Sequence, residues 1–169
     1  MANEALKKAS KVNDFQTPDV AVLPILGFIK KEWTVWECAS GKGNIARLLE
    51  SKSYDVVETD ILAGHDFLID SPPVKYDCII TNPPYSLKDQ FLKRCYLLGK
   101  PFALLLPLTT LEGKRQEWLE RYGMELILLD KRVNFETPSG KGSGSWFATA
   151  WFTNWLNIGK QITYAKMGK

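Results

Sequence analysis

The chain has 169 residues, of which 45% are hydrophobic and 24% charged, a composition close to that of an ordinary globular domain. This length suffices for one sizeable hydrophobic core, so we expect a single domain over residues 1–169. The formal net charge of +3 is smaller than a dedicated nucleic-acid binder carries, although it permits a polyanionic partner.

Three cysteines and one histidine limit the chemistry further. Cys38, Cys78 and Cys95 are an odd number with no close pair, which argues against a disulfide framework and a cysteine zinc site. A single histidine, His65, rules out a histidine metal cluster, so we expect no metal. Residues 1–15 lack the apolar core of a signal peptide, and no apolar run approaches the length of a membrane span. These features predict a cytoplasmic protein.

The hydrophobic pattern predicts alternating strands and helices along most of the chain. Short apolar, β-branched or aromatic runs indicate strands, and apolar residues at intervals of three and four indicate helices. The predicted strands span residues 33–37, 55–60, 76–82, 101–108, 124–130, 146–155 and 161–167. The predicted helices span residues 17–32, 44–52, 87–99 and 112–123.

Some of these elements carry more specific expectations. The first helix should begin at Thr17 and Pro18 and be kinked at Pro24. For residues 61–74 the sequence predicts only a short strand or a turn. The last two strands are expected to pair as a hairpin. Residues 101–108 are almost wholly apolar, which is typical of a parallel strand covered on both faces. The pattern as a whole indicates an α/β domain with a largely parallel sheet.

A glycine turn follows the first predicted strand and precedes a helix. Glu37 ends the strand, and Gly41 and Gly43 lie in the turn, where a ligand can pass close to the backbone. The next strand ends in Asp60, a position at which an acidic residue can accept hydrogen bonds from both hydroxyls of a ribose. In an α/β sheet such strand ends lie at the usual ligand site.

Several ligands are compatible with this turn. A phosphate-binding P-loop is excluded because Gly43 is followed by Asn44, whereas Gly41, Gly43 and Ala46 formally meet a dinucleotide fingerprint. A tight turn without a ligand also remains. Glu37 argues against both, because a carboxylate in a cleft needs a partner and would repel a pyrophosphate. S-adenosylmethionine, which carries a ribose and positive charge, suits these residues better.

Asp66 and Phe67 follow the second predicted strand and extend this interpretation. The Asp66 carboxylate could receive the amino group of adenine while Phe67 packs against the ring. A solvated loop carboxylate without a ligand is the alternative for Asp66.

A second motif, "TNPPYS", ends the strand predicted at residues 76–82. Together with "ECASGKG" upstream and "DFQTP" at residues 14–18, it resembles the S-adenosylmethionine-dependent amino-methyltransferases, especially adenine-specific DNA methyltransferases. The resemblance covers residues 14–155, and the sequence looks most like small family members from phages and prophages. It implies a Rossmann-like class I methyltransferase fold, with a mostly parallel seven-stranded sheet, an antiparallel strand near the C-terminus and helices on both faces.

The chemistry of methyl transfer to an amine explains the tetrapeptide Asn82-Pro83-Pro84-Tyr85. The lone pair of an aromatic exocyclic amine is delocalised, so the enzyme must orient the nitrogen rather than deprotonate it. The Asn82 side-chain oxygen and the Pro83 carbonyl can accept hydrogen bonds from the amine, and the two prolines fix the backbone that holds them. Tyr85 can stack on the base. The alternative is that Pro83 and Pro84 simply terminate a strand.

The resemblance implies two sets of site residues. The cofactor set is Phe15, Gln16, Thr17, Pro18, Glu37, Cys38, Ala39, Gly41, Gly43, Asp60, Ile61, Asp66, Phe67 and Asn82. The substrate set is Tyr85, Arg132, Phe135, Lys141 and Trp146. Two alternatives remain open: Thr17 can be a helix cap alone, and residues 135–145 can be a connection with no role in binding.

These patterns predict an enzyme that methylates N6 of adenine in DNA with S-adenosylmethionine as its cofactor. The chain has no room for a separate target-recognition domain, so its site is short, a partner reads the sequence, or the substrate is not DNA. The alternatives are the same chemistry on RNA or on a protein glutamine, and a non-catalytic phage protein that binds cofactor or nucleic acid. The expected partner is therefore a nucleic acid and not a membrane, and the choice between monomer and dimer stays open.

Overall fold

The structure is a computed structural model that describes residues 2–12, 15–137, 140–141 and 147–168. The α-helices in these ranges are α1 (Ala2–Val12), α2 (Asp19–Val22), α3 (Asn44–Ser51), α4 (Lys88–Leu98) and α5 (Gln116–Tyr122). The strands are β1 (Thr34–Glu37), β2 (Asp55–Glu58), β3 (Cys78–Thr81), β4 (Phe102–Pro107), β5 (Glu125–Leu129), β6 (Glu136–Thr137), β7 (Gly140–Lys141), β8 (Thr149–Asn154) and β9 (Ile162–Ala165). Short 3₁₀ segments lie at Leu23–Phe28, Ile61–Ala63, Tyr85–Leu87, Leu108–Leu111 and Gly113–Arg115.

Seven of these strands form one mixed sheet in the spatial order β2-β1-β3-β4-β8-β5-β9. β8 runs antiparallel to its neighbours β4 and β5, and the other neighbouring strands run parallel to each other. β6 and β7 pair separately as a small antiparallel hairpin. The predicted seven-stranded α/β architecture, with an antiparallel strand near the C-terminus, is confirmed.

Alternate residues of the central strands point to opposite faces of the sheet. Val35 and Leu105 belong to a core cluster with residues of α2 and α3, whereas Trp36 and Leu104 belong to a second cluster with residues of α4. All six residues of β4 are buried, as expected for a central strand covered on both faces. The helices therefore protect both faces of the sheet.

The six strands other than β8 run in one direction and end at the same border, which we call the carboxyl edge. β2 lies on one side of β1 and β3 on the other, so the strand order reverses at β1. A crevice outside the carboxyl ends of two such strands is the usual ligand site of an open α/β sheet. The topology thus directs attention to the ends of β1 and β3.

The first predicted helix is shorter and tighter than expected. Instead of a kinked helix over residues 17–32, the chain forms α2 and then a 3₁₀ segment at Leu23–Phe28. Pro24 lies at the start of that segment, where its missing N–H cannot continue an α-helix. The prediction of a kink is therefore replaced by a change of helix type.

The expected hairpin between the last two strands is wrong. β8 is inserted between β4 and β5, and β9 pairs with the other side of β5. All six residues of β8 are buried, whereas β9 alternates exposed and half-buried residues. A buried apolar strand is more stable inside the sheet, and the amphipathic strand suits its border.

The N-terminus contains a helix that the polar sequence did not suggest. In α1, Leu6 and Ala9 are buried one turn apart, and the helix packs against the Ile61–Ala63 segment. Residues 61–74 contain this segment and turns, in agreement with the expected turn. None of the helices in the described ranges is both long and apolar enough to cross a membrane.

We predict that the indole of Trp151 is essential for stability, because its Nε1 donates a hydrogen bond of 2.7 Å to the buried Ala21 carbonyl and thereby joins β8 to α2. Trp151→Phe should leave that carbonyl without its donor and open a small void, lowering the free energy of unfolding by at least ~2 kcal/mol. Urea denaturation would measure this loss. Trp118→Phe, on the half-buried face of α5, is the control and should cost clearly less; equal losses would contradict the prediction.

Candidate functional site

A cleft lies at the carboxyl edge, where β1 and β3 end side by side. It encloses about 450 Å³ of empty space, its open mouth included. Its walls come from the segment before α2, the turn after β1, the end of β2 and the turn after β3. The lining residues are Phe15, Gln16, Thr17, Glu37, Ala39, Ser40, Gly41, Asn44, Ile45, Asp60, Asn82 and Pro84.

Most of the predicted cofactor residues line this cleft. Those absent from its walls are Pro18, Cys38, Gly43, Ile61, Asp66 and Phe67. Cys38 and Ile61 are buried in the core, and Gly43 caps α3 behind the cleft. The cleft thus unites the segments that were singled out separately along the chain.

The backbone N–H groups of the turn after β1 are all engaged within the protein. Ala39 donates to Glu37 Oε1 (3.1 Å) and Gly41 to Asp60 Oδ2 (3.0 Å). The three other donors of this turn bind the Thr59 carbonyl, Gln16 Oε1 and the Ser40 carbonyl. A turn that binds a pyrophosphate must direct such N–H groups at the ligand. Residues 39–43 of this turn therefore offer no free N–H donor to a pyrophosphate.

Close packing explains the two glycines of the turn. Gly41 has φ +54°, and a Cβ there would come within 3.0 Å of Gln16 Nε2. Gly43 has φ +78°, and its Cβ would lie 3.0 Å from a carboxylate oxygen of Glu58. Both positions combine a left-handed backbone with a close neighbour, so glycine is needed for two reasons.

Asp60 is fixed by two hydrogen bonds and retains accepting capacity. Its Oδ2 accepts from Gly41 N (3.0 Å), and its Oδ1 accepts from Leu62 N (2.8 Å). A carboxylate offers about four acceptor positions, so about two remain for a ligand. An immobile carboxylate with free lone pairs suits a pair of ligand hydroxyls.

Glu37 is the most perturbed acid of the cleft. Its side chain is 1% exposed, and burial raises its pKa from 4.5 to about 8. The Ala39 N–H opposes this rise, while the nearby carboxylates of Glu58 and Asp60 add to it. Glu37 is therefore protonated near neutral pH until a cation enters the cleft.

We predict that Glu37 makes the ligand-free protein less stable as the pH rises from 4.5 to 8. The folded state then holds a proton that the unfolded chain has already released, so stability falls across this interval. The effect should amount to roughly 3 to 5 kcal/mol, and Glu37→Gln should abolish it. Chemical denaturation at several pH values would measure it, with the exposed Glu50→Gln as control. Parallel pH curves for wild type and Glu37→Gln would refute the assignment.

Asn82 lies at the end of β3, and the two polar atoms of its side chain differ in their hydrogen bonding. Its Nδ2 donates to the Phe15 carbonyl (3.2 Å), which can only accept, and this contact fixes the orientation of the amide. Its Oδ1 is buried and has no hydrogen-bond partner among the described residues. A buried acceptor without a donor is costly, which indicates that a ligand supplies one.

Tyr85 belongs to an aromatic cluster beside the cleft. Its ring lies 5.5 Å from Phe147 and 6.3 Å from Phe135, and Phe135 lies 5.9 Å from Phe15. Tyr85 is half-buried, while Phe135 is almost fully buried. Burial raises the pKa of Tyr85 above its ordinary value, so the phenol is neutral and cannot serve as a base. The cluster offers a ring surface rather than a charge.

Asp66 and Phe67 are placed differently from the prediction. Phe67 is buried in the core, stacked on Phe91 (4.9 Å) and edge-on to Trp36 (5.3 Å), and no face of it borders the cleft. The Asp66 Oδ1 accepts from Leu68 N (2.9 Å), and its Oδ2 is buried without a hydrogen-bond partner among the described residues. Phe67 packs in the core, and its contact with a ligand ring stays a prediction.

The remaining substrate residues lie around the β6–β7 hairpin. Arg132 is exposed and lines a separate groove beyond Phe135, and the backbone of Lys141 forms part of β7. Trp146 lies outside the described residues. Glu136 pairs with Gln16 through two backbone hydrogen bonds of 2.9 and 3.0 Å, which fasten the hairpin to the cleft wall. The interval predicted as a loop is therefore partly a strand.

Sequence reasoning missed four residues that the fold brings to the site. Ser40, Asn44 and Ile45 line the cleft beside the predicted glycines. Phe147 contacts Tyr85, although the neighbouring Trp146 was chosen. Each of the four is adjacent in sequence to a predicted residue, and that adjacency was the available signal. The direction of each side chain could not be read from the sequence.

No protein-family model matches the sequence, and no curated protein sequence does either. Solved structures do match. A methyltransferase subunit of a type I restriction-modification system from Streptococcus thermophilus has a TM-score of 0.60 at 16% identity, over 90% of this chain and 47% of that subunit. A modification subunit assigned to a type I restriction enzyme from Vibrio vulnificus YJ016 has a TM-score of 0.53 at 13% identity, over 100% and 50%. The 23S rRNA methyltransferase ErmE has a TM-score of 0.50 at 13% identity, over 82% and 68%.

The chain therefore spans about half the length of the two restriction-modification subunits. At these identities the likeness concerns the fold. The mixed sheet with one antiparallel strand and helices on both faces is the Rossmann-like class I methyltransferase fold that the motifs implied.

Proposed function

We propose that this chain transfers a methyl group from S-adenosylmethionine to N6 of adenine in DNA. The observation that carries the proposal is the Asn82 Oδ1, a buried acceptor without a partner among the described residues, held in orientation by the Phe15 carbonyl. An exocyclic amine supplies the donor that this oxygen needs.

Asn82 acts on the amine by geometry. Its oxygen and the Pro83 carbonyl accept the two amine hydrogens, which turns the nitrogen lone pair out of the ring and toward the cofactor cleft. Proline at positions 83 and 84 restricts the backbone around these acceptors. The neutral Tyr85 ring stacks on the base, a contact worth about 1 to 3 kcal/mol. No residue is required to deprotonate the amine before transfer.

The cleft residues fit S-adenosylmethionine, which supplies an activated methyl group on a cationic sulfur. Glu37 is a buried acid with a raised pKa, and a cationic ligand would ionise it and supply the missing counter-charge. Asp60 keeps free acceptor positions for ribose hydroxyls. Ala39 and Gly41 form the adjoining wall, and Gln16 and Thr17 close it from the other side. Asp66 and Phe67 are left out because they do not line the cleft.

The choice of a nucleic-acid substrate rests on the aromatic cluster and on the matched proteins. The half-buried rings of Tyr85 and Phe147 offer a surface suited to a planar base that has left its stack, and the buried Phe135 packs against Tyr85. The similar restriction-modification subunits favour DNA, whereas the similarity to a 23S rRNA methyltransferase favours RNA as the second candidate. Adenine suits the Asn82 motif in either polymer, so the similarity to the restriction-modification subunits makes DNA the first choice. A base already in a single strand costs less to extrude than one in a duplex.

Asn82→Ala should lower kcat by at least ~100-fold and leave the Kd for S-adenosylmethionine within about threefold, since it removes an acceptor that acts on the amine. Asp60→Ala should instead weaken cofactor binding by at least about tenfold, because two ligand hydrogen bonds are lost. Calorimetry with the cofactor and single-turnover kinetics would separate the two effects. Glu50→Ala, an exposed change on α3 outside the cleft lining, is the control and should keep both kcat and Kd nearly unchanged. Full turnover by Asn82→Ala would overturn the assigned role.

The substrate is tested by incubating the protein with unmethylated DNA, with RNA and with protein, each with methyl-labelled cofactor, followed by nucleoside and amino-acid analysis. We expect N6-methyladenine in DNA. Label in RNA or in glutamine alone would move the same chemistry to another polymer. Cofactor binding without any transfer would show a non-catalytic binding protein.

A further inference from the structure

We propose that a basic groove on the far side of the β6–β7 hairpin binds the phosphate backbone next to the target base. The inference rests on the proposed function, whose nucleic-acid substrate it places on the surface. The groove encloses about 770 Å³ of empty space, its open side included. Its lining residues are Pro18, Val20, Lys131, Arg132, Asn134, Glu136, Met167 and Gly168.

The pairing of β9 with β5 creates this groove. Leu129 and Ala165 are register partners at the ends of these strands, and Asp130 N donates to the Ala165 carbonyl (2.9 Å). Asp130 Oδ1 in turn accepts from Met167 N (2.9 Å), and the Met167 side chain is buried in the core. The segment after β9 is thereby fastened to the turn after β5, although the two are distant in sequence.

Two cations line the groove at this junction. Lys131 and Arg132 follow Asp130 and are both exposed, and neither forms an ion pair with an acid in the described part of the chain. Asp130 accepts from the Met167 N–H beside them, and Glu136 is the acid among the lining residues. The lining residues therefore carry a net positive charge.

The groove and the cofactor cleft share one wall. The backbone bridge between Gln16 and Glu136 separates them, with Gln16 lining the cleft and Glu136 the groove. Phe135 lies in the same wall and contacts Tyr85. A base beside Tyr85 therefore has its neighbouring phosphates within reach of the groove.

The exposed cations fit a polymer backbone better than a buried anion site. Exposed lysine and arginine contribute salt-dependent, sequence-independent attraction, and such phosphate contacts position a strand without identifying its bases. Asn134, also exposed in the groove, can add a neutral hydrogen bond to phosphate. Of the residues lining this groove, sequence analysis had singled out Arg132 and Pro18, whereas Lys131 and the groove itself come from the fold.

The experiment measures binding of a fluorescein-labelled, adenine-containing single-stranded oligodeoxynucleotide by anisotropy at several salt concentrations. Lys131→Gln and Arg132→Gln should each weaken binding and lower the slope of log K against log salt by about 0.7, the value for one lost contact with a single strand. Glu136→Gln should tighten binding, because it removes the acid facing the groove. Lys160→Gln is the matched control: it neutralises an exposed lysine near the opposite end of β9 and should keep the wild-type slope.

Wild-type slopes for the two groove variants Lys131→Gln and Arg132→Gln, with unchanged melting temperatures, would overturn the inference. An equal fall for Lys160→Gln would also overturn it, because net charge rather than the groove would then explain the binding. Methyl transfer is measured separately on the same proteins. If the protein methylates but the salt slopes of the groove variants are unaltered, the groove proposal is wrong and the proposed function stands. If binding depends on the groove but no methyl group is transferred, the groove proposal stands and the proposed function is wrong.

Discussion

The burial of the Glu37 carboxylate at the carboxyl end of β1 is the constraint on which the candidate site depends. The turn that follows uses its own N–H groups to bind Glu37, Asp60, Gln16 and backbone carbonyls, so residues 39–43 leave no backbone donor free for a phosphate. A ligand that donates hydrogen bonds or carries positive charge suits this arrangement. This requirement distinguishes the cleft from a dinucleotide site more clearly than the pattern of glycines does.

A second set of contacts connects the cofactor cleft with the substrate side. Asn82 holds the Phe15 carbonyl, and the next residue, Gln16, both accepts from the glycine turn and pairs with Glu136 of the β6–β7 hairpin. The segment before α2 is thus attached to β3, to the turn after β1 and to the hairpin. A change at any one of these attachments would alter the position of the acceptor relative to the cleft, which agrees with the need for accurate orientation in methyl transfer.

Much of the site could be predicted because its residues follow strands with strong local patterns. Glu37 ends β1, Asp60 and Asn82 lie within two residues of the ends of β2 and β3, and the carboxyl ends of parallel strands meet at one edge. Phe67 shows the limit of this reasoning. Its position in the sequence suits a ligand contact, but Phe91 and Trp36 cover its ring, and contacts of that kind come from elements far apart in the chain. The hairpin expected at the C-terminus was wrong for a similar reason, since β5 offered both strands a better partner.

The sequence by itself determined the α/β class, the glycine turn and the rigid tetrapeptide Asn82-Pro83-Pro84-Tyr85, because periodicity, backbone restriction and side-chain chemistry are local properties. Only the tertiary structure decided the order of β8 and β9, the burial that raises the pKa of Glu37, and the meeting of Lys131 with Met167 in one groove. These depend on which distant segments exclude water from each other, and no local pattern encodes that choice.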